Sequence, residues 1–322
     1  MTLWMVRAGS YGEREAIALE KGLVAIGWED LPDLSTIKTK EQLEKIYWEQ
    51  YPDSKKMEAA NQVGQIWRFI YEIQHGDLVA LPLKTQSAIA IGEITGIYEC
   101  STIAENIKHI RKVKWLKTIP RTAFDQDLLY SFGAFMTVCQ IKRNNAEERV
   151  VKILKGITLD TTPTKVISEE IELIDIEMYA KDEITKYINS KFKGHGLARL
   201  VEAVLIAQGY TTQVSPPGPD GGVDILASAG SLGFDGPKIC VQVKSSSSQI
   251  DVRVLRELRG VMSRVRADQG LLIAWGGFNS KVVQEAKDDF FCIRLWDSGK
   301  LLEVVFKYFE KFDEDLKAEL PL

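Results

Sequence analysis

Residues 218–227 read GPDGGVDILA and residues 239–246 read ICVQVKSS. Side chains of an extended strand alternate between its faces. Ile239, Val241 and Val243 therefore share one face of the second segment, and Cys240, Gln242 and Lys244 share the other. Gln242 and Lys244 point the same way, roughly 6–7 Å apart. Asp224 lies near the start of the preceding apolar run, just after Gly221 and Gly222. Glycines at such a place let the chain turn tightly and leave room for a ligand. If the two runs pair as a hairpin, Asp224 sits beside Gln242. A carboxylate, an amide and an ammonium gathered on one face exceed what a surface strand needs.

The segment ahead adds a fourth group. GLARLVEAVLIAQGY (196–210) has helical spacing and is apolar almost all round, which predicts a largely buried helix. Glu202 stands inside it, and a buried carboxylate needs a cation or a metal as partner. Beyond the two strands, helical and strand patterns alternate: DVRVLRELRGVMSRVRA, GLLIAWGG, NSKVVQEAKDDF, FCIRLWD, and a final helix from Gly299. The layout predicts an α/β domain, a mixed sheet flanked by helices. Carboxylate and amide oxygens suit a hard divalent ion such as Mg²⁺ or Mn²⁺. Such an ion lowers the pKa of bound water and neutralises charge on a phosphate, and a lysine beside it can stabilise the developing charge. Glu202, Asp224, Gln242 and Lys244 are thus the candidate catalytic set, with Asp224, Gln242 and Glu202 as metal ligands. Plainer readings exist for each alone: a turn-closing Asp224, a solvated edge Lys244, and a Glu202 paired with Arg199.

These residues carry a resemblance. The order of Glu202, GPDGGVDI and VQVKSS on helix, strand and strand resembles the catalytic domain of the Mrr family of restriction endonucleases over about residues 185–310. That family belongs to the PD-(D/E)xK nucleases, with QxK in place of (D/E)xK. The resemblance implies that Asp224 binds metal, Gln242 replaces the usual second acid, Lys244 is the catalytic lysine, and Glu202 is the helix acid. Asp220 is a lesser candidate behind them. Loss of one negative charge at Gln242 implies weaker metal binding.

The chain's 322 residues are enough for about two domains. KGITLDTTPTKVIS, with its breakers and threonines, reads as a linker, giving a first domain at 1–155, a linker at 156–168 and a second domain at 169–322. The whole net charge of −4 lies after residue 162, where 20 Lys and Arg face 24 Asp and Glu. Arginines 253, 256, 259, 264 and 266 still concentrate on one helix, either as a solvated face or along a phosphate backbone. The four cysteines form no CxxC pair and the three histidines are scattered, which argues against a zinc site or a His-based triad. No apolar run approaches the ~18 residues of a membrane span. MTLWMVRAGSYGEREA lacks the layout of a secretory signal, so the expected location is cytoplasmic.

In the first half, short apolar strands outnumber helices, which predicts an α+β domain built on a small β-barrel or a curved sheet with helices attached. LWMVRAG, AIGW, NQVGQIWRFIYEIQHGDLVALPL and AIAIGEITGIY resemble PUA-superfamily domains of the EVE and YTH type, over about residues 1–115. That resemblance implies a nucleic-acid reader that holds a flipped base between aromatic rings. Trp28, Asn61, Trp67 and Tyr98 are the candidate base-binding residues.

The combined expectation is a Mg²⁺-dependent endodeoxyribonuclease for modification-dependent restriction of foreign double-stranded DNA, with modified cytosine as the candidate base. Two active sites are needed to cut both strands, which implies a homodimer at least on DNA. One rival is a repair nuclease, or one for unmodified DNA, which would cut modified and unmodified DNA equally. A second is a non-catalytic reader, which would bind without cutting, and a third takes RNA as the target, which competition between RNA and DNA would separate.

Overall fold

The computed structural model describes residues 1–105, 107–156, 175–216 and 222–321. The chain divides into two units, Met1–Tyr179 and Ala180–Leu322. The expected linker at 156–168 lies, apart from Gly156, outside the described residues, and so does Asp220.

The first unit runs β1 (Leu3–Val6), α1 (Glu15–Lys21), β2 (Leu23–Ile26), α2 (Lys40–Gln50), α3 (Lys56–Trp67), β3 (Leu78–Pro82), β4 (Ala88–Ala104), β5 (Ile107–Pro120), α4 (Gln126–Phe132), β6 (Val138–Gln140) and α5 (Ala146–Leu154). Its local signals are legible. Thr39 and Gln42 form a reciprocal capping box at the start of α2. A π-helical turn over Arg68–Glu72 extends α3. Six strands form one sheet in the order β2-β5-β4-β3-β1-β6. β1 runs parallel to β3, and the long β4–β5 hairpin carries register shifts that bend it. Trp4 and Val6 on one side share a core with Val24, Ile26, Tyr47 and Phe69. Leu3 and Met5 on the other pack with Phe132 and Val150.

The sheet curls enough for β2 side chains to share a core with β1. No ladder joins the two edges among the described residues, so the sheet is the curved, open alternative rather than the closed barrel that the resemblance implied. The edges are β2 and β6, the latter only three residues long. The Gly76–Asp77 pair leads into β3. Asp77 takes hydrogen bonds from Trp4 Nε1 at 3.0 Å, Thr2 N at 2.8 Å and Gln74 N at 3.0 Å, fixing the entry to β3.

The second unit takes up α6 (Ile176–Lys191) beyond Tyr179. It continues through α7 (His195–Ala207), β7 (Thr211–Val214), β8 (Ile225–Ala229), β9 (Asp235–Lys244), α8 (Val252–Val265), β10 (Gln269–Ala274), α9 (Ser280–Glu285), β11 (Ile293–Asp297), α10 (Ser298–Tyr308) and α11 (Glu314–Glu319). The sheet order is β11-β10-β9-β8-β7. β7, β8 and β9 are antiparallel, while β9, β10 and β11 are parallel. The expected hairpin is therefore part of a three-stranded meander. β7 (TTQV) is short and polar and carries no apolar alternation to announce it.

Helices cover both faces of this sheet. Val241, Ile225 and Ala227 pack with Leu197, Leu200, Val201 and Val204 of α7. Cys240 and Leu272 pack with Leu255, Leu258, Val261 and Met262 of α8. The α8 stripe has the three- and four-residue spacing of an amphipathic helix, and the Asp251 side chain caps its first turn. No helix among the described residues is long and apolar enough to cross a membrane.

Candidate active site

Strand register brings Asp224 and Gln242 together. Ile225 pairs with Val241, which places Asp224 opposite Gln242. The Asp224 N–H donates to the Val241 carbonyl at 3.0 Å, and the Ser215 N–H donates to the Asp224 carbonyl at 2.9 Å. Its carboxylate is held as well: Val243 N–H donates to Asp224 Oδ2 at 2.8 Å. The preceding Gly222 has φ +87°, a conformation that favours glycine.

Gln242 shares the α8-facing side of β9 with Cys240. It is 2% exposed, and among the described residues its Oε1 has no hydrogen-bond partner. Buried amide oxygens are normally satisfied, and an orphan costs about 1–3 kcal/mol. Lys244 follows two residues on, at the end of β9, half-buried, its carbonyl accepting Trp275 N–H at 2.8 Å. Among the described residues its ammonium makes no salt bridge. Beyond it, the serine run passes so close to Gly276 that a Cβ there would lie 2.4–2.5 Å from the Ser247–Ser248 backbone.

A cavity of about 350 Å³ opens here, lined by Gly222, Gln242, Glu257, Gly260, Val261 and Arg264. Burial pushes the nearby Cys240 thiol up to about 11, with Arg264 opposing and Asp224 adding to the rise. The charges of Arg264 and Asp224 thus both reach this face.

Glu202 is placed differently from the expectation. α7 packs on the opposite face of the sheet, and Glu202 Oε1 accepts from Thr212 Oγ1 of edge strand β7 at 3.0 Å. Its helix is also less buried than its composition suggested, with Ile206 54% exposed. The Arg199 pairing does not form; Arg199 meets Glu319 at 2.8 Å. Three α8 arginines have partners too. Arg253 binds Asp251, Arg256 binds Glu285, and Arg259 binds both Glu285 and Asp289.

Among the described residues no cluster of three or more His, Cys, Asp or Glu stands ready for a metal. A smaller oxygen set, the Asp224 carboxylate and the orphan Gln242 Oε1, fits a hard divalent ion that keeps most of its own waters. Glu257 and Arg264 were missed as cavity residues. Their spacing of seven around Gly260, on one helix face, was the available signal.

The candidate base-binding residues have separate partners. Tyr98 is 7% exposed; its hydroxyl lies 2.7 Å from His109 Nδ1 and accepts from Leu34 N at 3.3 Å. It is a core residue, closed to a stacking base. Trp28, half-buried at φ 65°, donates to Gln62 Oε1 at 2.7 Å. Asn61 is exposed and accepts from Gln65 Nε2 at 2.6 Å. Trp67 lies against Tyr71, with ring centroids 4.3 Å apart.

Comparison with known proteins adds two segment matches. Residues 189–305 match a restriction endonuclease family, the Mrr catalytic domain, and residues 4–141 match a domain of unknown function, DUF8426. No curated protein matches the chain. Three solved structures show loose likeness. The protein of unknown function AF1548 aligns at 18% identity and TM-score 0.26, over 35% of this chain and 65% of its own. The DNA modification-dependent restriction endonuclease AspBHI aligns at 13% and 0.34, over 79% of this chain and 71% of its own. The MspJI restriction endonuclease, in complex with a 27-mer oligonucleotide, aligns at 14% and 0.32, over 97% of this chain and 77% of its own. The second unit thus carries a segment, residues 189–305, that matches the Mrr catalytic family of restriction endonucleases, with Asp224 just ahead of β8 and Gln242 and Lys244 on β9.

Proposed function

We propose that the protein is a Mg²⁺-dependent (or Mn²⁺-dependent) DNA endonuclease for modification-dependent restriction, acting in the cytoplasm. The observation that carries this reading is the buried, unpartnered Gln242 Oε1 beside Asp224, with Lys244 two residues further on the same strand face. Asp224 and Gln242 would hold the cation. Glu202 belongs to α7 on the other face of the sheet, where it accepts from Thr212, so Asp224 and Gln242 are the assigned ligands. When bound, the cation neutralises charge on a phosphate and eases deprotonation of an attacking water.

The chain's own groups do the positioning. The Val243 N–H fixes the direction of the Asp224 carboxylate. The Lys244 ammonium supplies a positive charge for the developing phosphorane oxygens or the water beside them. Pre-set groups of this kind lose little on reorganisation during the reaction. The first unit is proposed to read the DNA, with half-buried Trp28 and Trp67 as stacking candidates. Asn61 is an edge-reading candidate, and Tyr98 is set aside as core. Double-strand cleavage would use a homodimer formed at least on DNA.

The test is cleavage with Mg²⁺ of matched DNAs: unmodified, 5-methylcytosine, 5-hydroxymethylcytosine and glucosylated. Lys244→Ala runs beside wild type. Cutting confined to one modified DNA, and reduced at least about 100-fold in the variant, is the expected result. Cutting of every DNA alike would remove the modification-dependent part. No cutting by wild type would remove the nuclease.

A further inference from the structure

We propose that Arg7 and Lys84 form a phosphate-oxyanion site in the first unit, and that the Asp175 carboxylate occupies it in this structure. The inference rests on the DNA-reading proposal only for the source of the phosphate.

Sheet topology brings the cations together. β1, β3 and β5 end at one end of neighbouring strands, where β4 begins. Arg7 follows β1, and Lys84 lies in the turn between β3 and β4. Arg121 follows β5, its N–H donating to the Ser87 carbonyl of that turn at 3.0 Å. One carboxylate oxygen serves both cations of the site: Asp175 Oδ2 lies 2.8 Å from Lys84 Nζ and 3.3 Å from the Arg7 guanidinium. The other oxygen, Oδ1, accepts from Met178 N at 3.1 Å, and the Asp175 carbonyl accepts from Tyr179 N at 2.9 Å. Asp175 therefore opens α6 with the same side chain that meets the cations.

The fit of that carboxylate is incomplete. Arg7 Nη2 reaches the Phe132 carbonyl at 3.4 Å, but its Nε is buried and, among the described residues, has no hydrogen-bond partner. Buried N–H groups are normally paired. Burial pushes the Arg7 guanidinium down, Asp175 opposes the fall, and the charge of Arg121 adds to it. The Cys139 thiol also acts on Arg7. The further acid of this end, Glu15, is committed to the Lys84 and Thr85 N–H groups and the Thr85 hydroxyl. A phosphate group has more oxygens than Asp175 has to give. Two of them match a guanidinium edge that includes Nε, while a third meets the ammonium. Lys84 is the more open side, 27% exposed against 12% for Arg7, and is the side of approach. A phosphate seated there releases Asp175, and with it the first turn of α6.

The test is binding by the full chain in chelator, at ionic strength held constant with KCl. The probes are inorganic phosphate and an unmodified DNA duplex. The proteins are wild type, Asp175→Asn, and Asp175→Asn combined with Arg7→Met. Asn keeps an oxygen for the helix start, so Asp175→Asn should tighten binding by about tenfold, and Arg7→Met should cancel the gain. In wild type, hydrogen exchange at the Met178 and Tyr179 amides should quicken at saturating probe; this readout needs no variant. A gain with the duplex assigns the site to the DNA backbone, and a gain with inorganic phosphate alone assigns it to free phosphate. No gain with either probe, or exchange at those two amides unmoved, overturns the inference. Neither readout uses metal or cleavage, so failure of the nuclease reading leaves both intact.

Discussion

Gln242→Met should make the metal-free protein more stable and inactive at once. The native amide is 2% exposed, and its Oε1 has no partner among the described residues. Burial of an unsatisfied acceptor costs about 1–3 kcal/mol. Methionine keeps the unbranched shape and needs no partner, and the neighbours on that face are Cys240, Leu272 and Val261. Allowing for imperfect packing of the thioether, a gain of about 1–2 kcal/mol is expected. For a unit the size of Ala180–Leu322 that raises its melting temperature by about 3–8 °C. The assay is calorimetric unfolding of the whole chain in chelator, read at the transition of the second unit. Added Mg²⁺ at ten times its Kd should then stabilise wild type by about 1.4 kcal/mol and leave the variant unmoved. Cleavage should fall to background. A variant that melts lower by 1 kcal/mol or more would refute the reasoning, because it would mean the amide is structurally satisfied in the native protein.

Two further outcomes concern the first unit. Tyr98→Phe removes the hydroxyl that meets His109 and Leu34, and should destabilise the unit by about 1–3 kcal/mol without changing DNA affinity. Selective loss of modified-DNA binding at unchanged stability would return Tyr98 to the reading surface. The Arg149 guanidinium hydrogen-bonds Asp127 and holds its carboxyl below the usual carboxylate range. A lowered folded pKa gives stability that is complete above the unfolded value near 3.9, and that is lost as pH falls through the folded value. Arg149→Met should therefore lower the melting temperature by a constant amount from pH 5 to 7, and by less below pH 4. A difference that persists unchanged at pH 2.5 would rule out this pair as its source.

Much of the site was legible because it rests on period-two alternation and pairing. Both follow from ICVQVKSS and GPDGGVDI alone, and the Ile225–Val241 register delivers Asp224 to Gln242. Glu202 was not legible in the same way. A helical wheel shows that a carboxylate sits among apolar residues, but not which sheet face the helix covers, and here Thr212 of an unannounced strand takes it. The partners of the α8 arginines were hidden for a related reason. Their partners Glu285 and Asp289 lie on a later segment whose proximity is a tertiary fact. In the first unit, strand existence was readable but closure was not, because barrel closure depends on whether β2 meets β6. Aromatic accessibility also escaped: Tyr98 and Trp67 look alike in sequence, yet one is sealed against His109 and the other is half-open beside Tyr71.

β9 is where the sheet changes from antiparallel to parallel pairing, and it is flanked by a strand on each side. A residue on an edge strand can shift with its loop; one on this strand moves only if two ladders and two helical layers move with it. Gln242 and Lys244 are therefore tied to an interior strand of the sheet, with β10 alongside both. On the proposed reading, control over when such a centre acts falls to how the substrate is delivered to it. Engineering of new target preference would accordingly leave β9 untouched and work on the surfaces that present the DNA.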